Sequence, residues 1–315
     1  MTKLSKNIAR SRVNMKICIT GLRYFGNIFA NQLKNKNINA DFIEMKLLNN
    51  KVRKIIMDSN IVYFLFSPFT SLRGLLSVII IKFLFKKKIA IMWVGTDVLL
   101  TSRGIYMIYT KIGLKFVDIN ISTTRWMFKE LNQMGIKNIT IQVPFLCKNL
   151  SHCKLPKIFT VLIYLPKNAY NFYRGYLCEK IMDYFKHVSF LVVGHNGKGL
   201  KKRKNVKYLG WINNMNEIYC KSTVLLRIPL HDALSCMVSE ALSLGRYVIW
   251  IYPLKGCFYA KKYDDIIYYL NKLLNMPDLK LNEEGFYFFN HYNNKKNSSL
   301  EKIIRIYEIL SYKIY

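Results

Sequence analysis

Acidic residues are scarce in this 315-residue chain, which has 18 Asp and Glu against 49 Lys and Arg and therefore a formal charge of +31. Such an excess indicates an anionic partner: a nucleic acid, an acidic membrane or a phosphorylated substrate. The chain is also rich in Lys, Asn, Ile, Tyr and Phe, as an AT-rich genome favours. Codon bias is therefore an alternative source of part of the lysine content.

Several sequence patterns that define other classes of protein are missing. None of the seven cysteines forms Cys-x-x-Cys and their number is odd, which is typical of reduced thiols in a cytosolic protein. Residues 1–14 have four basic side chains but no apolar core, which argues against a signal peptide and predicts a loose basic tail. The longest apolar stretch, 75–91, is interrupted by lysines and is too broken to cross a bilayer.

Short apolar runs alternate with helical segments along the chain. The predicted strands are residues 16–20, 40–44, 61–66, 89–93, 117–122, 139–143, 159–165, 189–194, 206–209, 224–228 and 247–252. This alternation predicts an α/β protein with two doubly wound parallel sheets. The glycines after the first strand do not follow G-x-G-x-x-G, which argues against an NAD site.

The two predicted sheets meet around residues 144–157. We expect four segments: a basic tail over 1–14, an N-terminal domain over 15–150, a C-terminal domain over 151–297 and a last helical segment over 298–315. Ser298 and Glu301 match a capping box that begins this last helix. We expect the helix to pack back toward the N-terminal domain.

Two acids with seven residues between them lie in a segment with a loop, helix and strand pattern. Asp232 precedes the helix and Glu240 lies two turns along it. Backbone N–H groups at the helix start, around Leu234 and Ser235, can hold a diphosphate. A carboxylate in the loop can accept hydrogen bonds from sugar hydroxyls, and one on the helix can bind a vicinal diol such as ribose. The alternative is a solvated helix with two ordinary acids.

This segment resembles the paired-acid motif of the large retaining class of GT-B glycosyltransferases, in which seven residues separate two Glu. It matches the motif at Ser235, Glu240, Ala241, Gly245 and the strand after Arg246. It departs from the motif at Asp232, which replaces the first Glu, and at Ala233. The resemblance extends to residues 161–166, 190–194 and 206–210, which occur in the order of the corresponding family segments. Residues 93–97 and 124–135 look like pieces of the family's N-terminal domain.

The resemblance implies two Rossmann-like domains that face a cleft, an acceptor-side N-terminal domain and a C-terminal domain that binds a nucleotide-sugar. Ligands of open parallel sheets bind beyond the carboxyl ends of the strands. The predicted donor-binding residues there are Glu240, Leu234, Ser235, Lys167, Arg174, Gly210, Trp211, Ile212 and His231. The predicted catalytic residues are Asp232, which faces the transferred sugar, and Asp97, whose alternative role is a helix N-cap. On the acceptor side, Gly21 and Gly26 let the backbone approach the substrate.

Other residues of this predicted site also have a second interpretation. Lys167 and Arg174 either neutralise the leaving diphosphate or are solvated charges. Trp211 either packs on the nucleotide base or wedges its loop into the core. His231 points either into the cleft or away from it, and His195 is either a nucleotide contact or a surface-loop histidine.

The implied activity is transfer of a sugar from a nucleoside-diphosphate sugar to a lipid-linked or cell-surface saccharide, with retention. We expect no metal and no cofactor: Asp-x-Asp does not occur, and cationic side chains and helix N–H groups can stabilise the leaving diphosphate. One alternative is a non-catalytic GT-B scaffold or partner subunit, suggested by Asp232 and Ala233. Another is a nucleic-acid-binding protein, which the charge suggests but for which no recognition motif is found.

Residues 71–88 interleave apolar side chains with five basic ones: Arg73, Lys82, Lys86, Lys87 and Lys88. A basic residue near an anionic bilayer contributes roughly 1 kcal/mol to binding. We therefore predict a cytoplasmic protein held at the inner face of the cell membrane through 71–88, with no nucleic acid as partner. The alternative is a buried helix of the N-terminal sheet with a basic end.

Overall fold

The computed structural model describes three stretches of the chain: 15–141, 153–293 and 296–312. The chain forms two compact units, Met1–Phe145 with Lys295–Tyr315 and Leu146–Asn294. The predicted tail over 1–14 lies outside the described residues, as does the predicted domain boundary at residue 150. Both units are α/β, which confirms the predicted fold class of two doubly wound parallel sheets.

The first unit is built on a parallel sheet with the strand order β2-β1-β3-β4-β5-β6. Its strands are β1 (Lys16–Gly21), β2 (Asn39–Ile43), β3 (Ile61–Leu65), β4 (Lys88–Trp93), β5 (Ile119–Ser122) and β6 (Ile139–Thr140). All five residues of the central strand β3 are buried. Burial on both faces explains why β3 is a continuous apolar run rather than an alternating one.

Helices flank this sheet and begin at side-chain caps in several places. They are α1 (Arg23–Lys34), α2 (Asn50–Asp58), α3 (Leu72–Phe83), α4 (Thr96–Thr101), α5 (Gly104–Gly113) and α6 (Arg125–Gln133). The side chain of Asn49 accepts two backbone N–H bonds at the start of α2, and Ser71 and Thr124 each accept one at the starts of α3 and α6. Such caps satisfy N–H groups that have no partner within the helix.

Helix α3 is a packed element of the first unit with a basic end that is partly paired. Its inner face buries Leu75, Val78 and Ile81. Asp118 pairs with Lys82 at 2.7 Å and with Lys88 at 3.3 Å, and Lys88 belongs to β4. The Nζ of Lys87 donates to the carbonyl of Met57. Three of the four lysines in the predicted membrane segment therefore make contacts within the unit.

The second unit is a parallel sheet with the order β12-β11-β10-β7-β8-β9. Its strands are β7 (Thr160–Tyr164), β8 (Ser189–Val193), β9 (Val206–Gly210), β10 (Val224–Arg227), β11 (Tyr247–Trp250) and β12 (Cys257–Tyr259). Its helices include α7 (Gly175–Tyr184), α8 (Met215–Cys220), α9 (Cys236–Ser243), α10 (Tyr263–Leu274) and α11 (Glu283–Asn293). Counted from β7, this is the strand order of dinucleotide-binding folds, and its switch point lies between β7 and β10.

The last helix, α12 (Lys296–Tyr312), packs into the core of the first unit. Ile303, Ile304 and Tyr307 are fully buried in the same cluster as residues of β1, β3 and α1. The ring of Tyr307 meets that of Tyr63 edge to face, with centroids 5.6 Å apart. Aromatic pairs in this geometry contribute about 0.5–1.5 kcal/mol beyond the area that they bury. A helix remote in sequence therefore completes this core.

Two cysteines of the second unit form a disulfide, so the prediction of reduced thiols throughout the chain was wrong. The Cα atoms of Cys153 and Cys220 are 5.7 Å apart, within the range that a disulfide spans. Because the two cysteines are 67 positions apart in the chain, no local spacing motif marks the pair. The other described cysteines are free: Cys18, Cys178, Cys236 and Cys257. Cys147 lies outside the described residues.

Across the described residues, each helix is either too short or too polar for a bilayer-crossing segment.

Candidate functional site

The carboxyl ends of β7 and β10 lie side by side at the switch point of the second unit. Leu226 on β10 is in register with Ile163 on β7. The next residues, Arg227 and Tyr164, therefore emerge together at the edge where parallel sheets bind their ligands. Arg227 is buried, with 8% of its surface exposed. A buried cation at this position requires an anionic partner.

Asp232 is that partner. Nε of Arg227 donates to Oδ2 of Asp232 at 2.6 Å and Nη2 donates to Oδ1 at 3.2 Å, which makes the pair bidentate. Nε1 of Trp250 donates to the same Oδ2 at 3.3 Å. Burial lowers the pKa of Arg227, but the charge of Asp232 outweighs it and the net pKa lies above its usual value. With three donors on its two oxygens, Asp232 is first of all the partner of Arg227. Its predicted contact with the transferred sugar stays a prediction.

Two aromatic rings surround the other side of this guanidinium. Its carbon lies 5.8 Å from the ring centre of Tyr164 and 5.4 Å from that of Tyr173. Both distances are within the range of a cation–π contact. The pair with Asp232 and these rings hold Arg227 in one orientation at the strand end.

Glu240, the second acid of the motif, is oriented by a buried tyrosine. It lies on α9, where the Ser235 side chain caps the first turn by accepting from the N–H of Met237 at 3.2 Å. The hydroxyl of Tyr219 on α8 donates to Oε2 of Glu240 at 2.7 Å. Burial, and then the charge of Glu240, raises the pKa of Tyr219 well above its usual value. The phenol therefore stays protonated and remains a donor to this carboxylate.

The two acids of the motif lie around one thiol. Burial raises the pKa of Cys236 to about 12. The charges of Glu240 and Asp232 contribute to this increase, while that of Arg227 opposes it. Nη1 of Arg227 also donates to Sδ of Met237 at 3.9 Å, on the same helix as Glu240, so the fold brings both predicted acids and Arg227 into one cluster. The raised pKa keeps this thiol in its neutral form near neutral pH.

The loop residues beside the acids are mostly buried. Leu234 and His231 have 6% and 7% of their surface exposed. The ring of His231 meets that of Tyr252 edge to face, with centroids 6.1 Å apart. These contacts place His231 against the end of β11.

Trp211 is 77% exposed, so the alternative of a tryptophan wedged into the core was wrong. Its Nε1 donates to Oδ1 of Asn213, and its neighbour Ile212 is half-buried. Gly210 joins two loops, because its N–H donates to the carbonyl of His195 and its own carbonyl accepts from Gly194. The base contact of Trp211 remains a prediction.

His195 is buried, with 4% of its surface exposed, which corrects the alternative of a surface-loop histidine. Its Nδ1 accepts from the N–H of Gly197 at 2.9 Å. The histidine therefore closes the turn after β8.

The two predicted phosphate ligands after β7 have different surroundings. Lys167 is exposed on a short 3-10 turn at the end of the strand. Arg174 precedes α7 in a left-handed conformation and its Nη1 donates to the carbonyl of Lys261 at 2.9 Å. Lys167 thus lies at the same sheet edge as Arg227, whereas Arg174 is tied to another loop.

The predicted acceptor-side glycines make close contacts with the protein itself. A Cβ on Gly21 would lie 2.2 Å from the carbonyl oxygen of Leu65, and one on Gly26 would lie 2.2 Å from the ring of Phe42. Gly21 also has a φ of +114°, which side chains rarely adopt. Packing within the first unit is therefore sufficient to explain why both positions require glycine. The predicted substrate contact is not needed for that explanation.

Asp97 is fully buried and is neither a helix N-cap nor an open catalytic acid. Gly95 is the N-cap of α4, and Asp97 lies inside the first turn. The carboxylate accepts from four backbone N–H groups, those of Ser67, Val94, Gly95 and Val98. Burial nevertheless raises its pKa to about 6. The catalytic role predicted for Asp97 does not fit this closed environment.

Asp97 should make stability depend on pH between about pH 4 and 6. Its pKa of about 6 in the folded chain lies above the ordinary value of 3.8. The folded state therefore holds the proton more tightly, and this stabilisation is present below about pH 4 and lost as the pH rises through about 6. We expect the difference in unfolding free energy between wild type and Asp97→Asn to change across this interval and to be constant above about pH 7. Urea denaturation at a series of pH values measures it, and a constant difference throughout would contradict the prediction.

Sequence reasoning missed Arg227, Tyr219 and Trp250, which hold the two acids. A signal for Arg227 was present, since it follows three apolar residues of a predicted buried strand, where a charge needs a nearby counter-ion. Tyr219 and Trp250 gave no such signal, because a neutral aromatic residue needs no counter-ion.

No protein-family model matches the chain, and no curated protein matches it in sequence. Among solved structures, HepE from Anabaena in complex with UDP and glucose is similar, with a TM-score of 0.67 and 11% identity over 93% of this chain and 99% of that one. Sucrose-phosphate synthase from Thermosynechococcus elongatus has a TM-score of 0.68 and 11% identity over 94% and 99% of the two chains. A glycosyltransferase from Rickettsia africae has 0.65 and 14% over 94% and 99%. The chain therefore has the GT-B type of fold, with two Rossmann-like domains.

Proposed function

We propose that this protein is a glycosyltransferase that uses a nucleoside-diphosphate sugar as donor. The observation that carries the proposal is the cluster at the switch point of the second unit, where Arg227, held by Asp232, also contacts Met237 on α9, the helix that carries Glu240. The fold is that of solved glycosyltransferases, and one of these structures contains UDP and glucose. Similarity at 11–14% identity supports the fold alone, so the activity rests on the cluster.

Each part of the donor has a candidate partner in the second unit. The diphosphate is bound by Arg227, by Lys167 and by the backbone N–H groups at the start of α9, where the helix dipole favours an anion. Glu240 accepts from the ribose hydroxyls, and Trp211 packs against the base. Fixed positive charge at the leaving diphosphate stabilises it as the glycosidic bond breaks. The proposed transfer therefore proceeds without a metal ion, and with retention as in the enzymes whose motif it resembles.

The proposed acceptor is a lipid-linked or cell-surface saccharide at the inner face of the cell membrane. The positive charge of the chain, +31, favours such an anionic surface. In the attachment segment predicted from the sequence, 71–88, Lys82 and Lys88 are paired with Asp118. Substituting those lysines would therefore disturb the first unit and would not be a clean test of attachment.

A thermal-shift screen with UDP, GDP, ADP and CDP tests the donor site. A ligand that binds only the folded state stabilises it by roughly 2.7 kcal/mol at a concentration of one hundred times Kd. We expect one nucleotide to raise the melting temperature and the corresponding nucleotide-sugar to be slowly hydrolysed. Binding without hydrolysis or transfer would favour the alternative of a non-catalytic scaffold. Failure of all four nucleotides to bind would contradict the proposed function.

A further inference from the structure

The first half of helix α5 exposes apolar side chains around nearly its whole circumference. Four consecutive residues, Ile105, Tyr106, Met107 and Ile108, have between 37% and 51% of their surface exposed. Successive residues of an α-helix are about 100° apart, so these four side chains point in about every direction around the axis. A helix that packs along a core hides one face, and runs of exposed apolar residues are rare without a function. This helix end therefore projects from the first unit.

The neighbouring helices extend this apolar surface. Helix α5 packs against both α3 and α4. On α3, Leu72 and Leu76 are 52% and 48% exposed, and Leu100 on α4 is 40% exposed. A groove of about 370 Å³ lies at the turn between α4 and α5, lined by Leu99, Leu100, Arg103, Gly104, Ile105 and Tyr106. Together the exposed residues of α3, α4 and α5 form what we call the apolar face.

The charge around the apolar face has one sign. Residues 59–117 contain eight Lys and Arg and a single acid, Asp97, which is fully buried, and the next acid, Asp118, pairs with Lys82 and Lys88. Arg103 and Lys111 are exposed at the two ends of the apolar part of α5, and Arg73 is exposed on α3 beside Leu72. Basic side chains that border an exposed apolar helix are typical of interfacial helices on anionic membranes. An acidic surface with an apolar layer beneath it complements both properties.

We propose that the apolar face docks on an anionic lipid bilayer, with the first half of α5 inserted among the headgroups. Arg103 and Lys111 then contact lipid phosphates, and the apolar side chains on the bilayer side of the helix, Ile105 and Ile108 among them, reach the acyl boundary. A second copy of the chain is a poorer occupant, because two surfaces that are both basic repel each other. The proposal goes beyond sugar transfer and does not depend on the donor site. It also moves the attachment away from the lysines of 71–88, of which three make contacts within the unit.

Vesicle co-sedimentation of the full-length protein tests this proposal. The vesicles contain equal parts of phosphatidylglycerol and phosphatidylcholine, or phosphatidylcholine alone. One variant combines Ile105→Ser with Ile108→Ser and another combines Arg103→Gln with Lys111→Gln, all at exposed positions. Matched controls are Leu48→Ser, at a residue that is 96% exposed, and Lys51→Gln with Lys54→Gln on the exposed side of α2.

We expect the wild type and both controls to bind anionic vesicles and to ignore neutral ones. Each test variant should bind about tenfold more weakly, because it loses either two inserted side chains or two charges near phosphate. The variant Ile108→Trp adds a local fluorescent reporter that brominated lipids should quench, whereas the reporter added by Leu48→Trp should not be quenched. Unchanged binding of the Ile105→Ser and Ile108→Ser double variant would overturn the proposal.

Two further measurements separate this proposal from other outcomes. If the wild type forms dimers in solution that both test variants abolish, and does not bind vesicles, the apolar face is a contact between copies and the lipid proposal fails. Thermal shifts with nucleoside diphosphates should be the same in wild type and test variants. A chain that binds vesicles but no nucleotide would contradict the proposed glycosyltransferase and leave the membrane proposal standing.

Discussion

Replacing Arg227 with Met is expected to destabilise the second unit by about 3–5 kcal/mol, the usual cost of removing one member of a buried ion pair. The side chains of Arg227 and Asp232 are only 8% and 13% exposed. Met preserves much of the length of the side chain and its contact with the aromatic rings, but it removes both donors to Asp232. Urea denaturation followed by tryptophan fluorescence measures the loss, since Trp250 reports directly on this cluster.

Two companion variants distinguish the ion pair from general packing. Combining Arg227→Met with Asp232→Leu removes both charges, and we expect it to recover most of the stability, because apolar replacements of a buried pair are often neutral. Arg227→Lys keeps the charge but loses the bidentate geometry, so its stability should lie between those of the wild type and Arg227→Met. A loss below about 1 kcal/mol in Arg227→Met would mean that the pair behaves like a solvated surface salt bridge.

The alternation of strands and helices could be predicted from the sequence because parallel strands that are buried on both faces are short, continuous apolar runs. Strand β3 and strand β10 follow this rule. Strand β12, Cys257–Tyr259, was not predicted, because a three-residue edge strand has too few residues to show a pattern. Helix α5 was also missed, and the start of α4 was anticipated only through the alternative role of Asp97 as a helix N-cap. Four consecutive apolar residues, 105–108, hide the helical period by which α5 would be recognised.

The contents of the candidate site were only partly predictable. Asp232 and Glu240 stood out because their spacing resembled a known motif, and the structure brings both into the cluster around Cys236. What each carboxylate contacts depends on residues of other elements, Arg227 for one and Tyr219 for the other. A sequence motif describes one segment, whereas a hydrogen bond between α8 and α9 is a property of the fold.

For Asp97, the sequence suggested a role that does not fit its position in the fold. An acid after a strand end suggested a catalytic group, yet four backbone N–H groups enclose it. One of the donors, Ser67, lies 30 residues earlier in the chain, at the end of a neighbouring strand. Only the pairing of β3 with β4 brings the two strand ends together. The same limit applies to the disulfide between Cys153 and Cys220, because the chain between the two cysteines has to fold before they meet.

Replacing Glu240 with Gln is expected to weaken nucleoside diphosphate binding by roughly tenfold to one-hundredfold. A hydrogen bond to a charged group contributes about 1.5–3 kcal/mol, and the proposed ribose contact depends on the carboxylate. Isothermal titration with the nucleotide that gives the thermal shift measures the affinity.

Tyr219→Phe should have a smaller effect, of a few-fold, because Tyr219 orients Glu240 and does not itself reach the ribose. Asp264→Asn, at an exposed acid of α10, is the matched control and should bind as the wild type does. The pattern across the three variants identifies the role: equal losses in Glu240→Gln and Tyr219→Phe would indicate a collapsed cluster. An unchanged affinity in Glu240→Gln would remove this acid from the donor site and leave Arg227 and Lys167 as its remaining charged candidates.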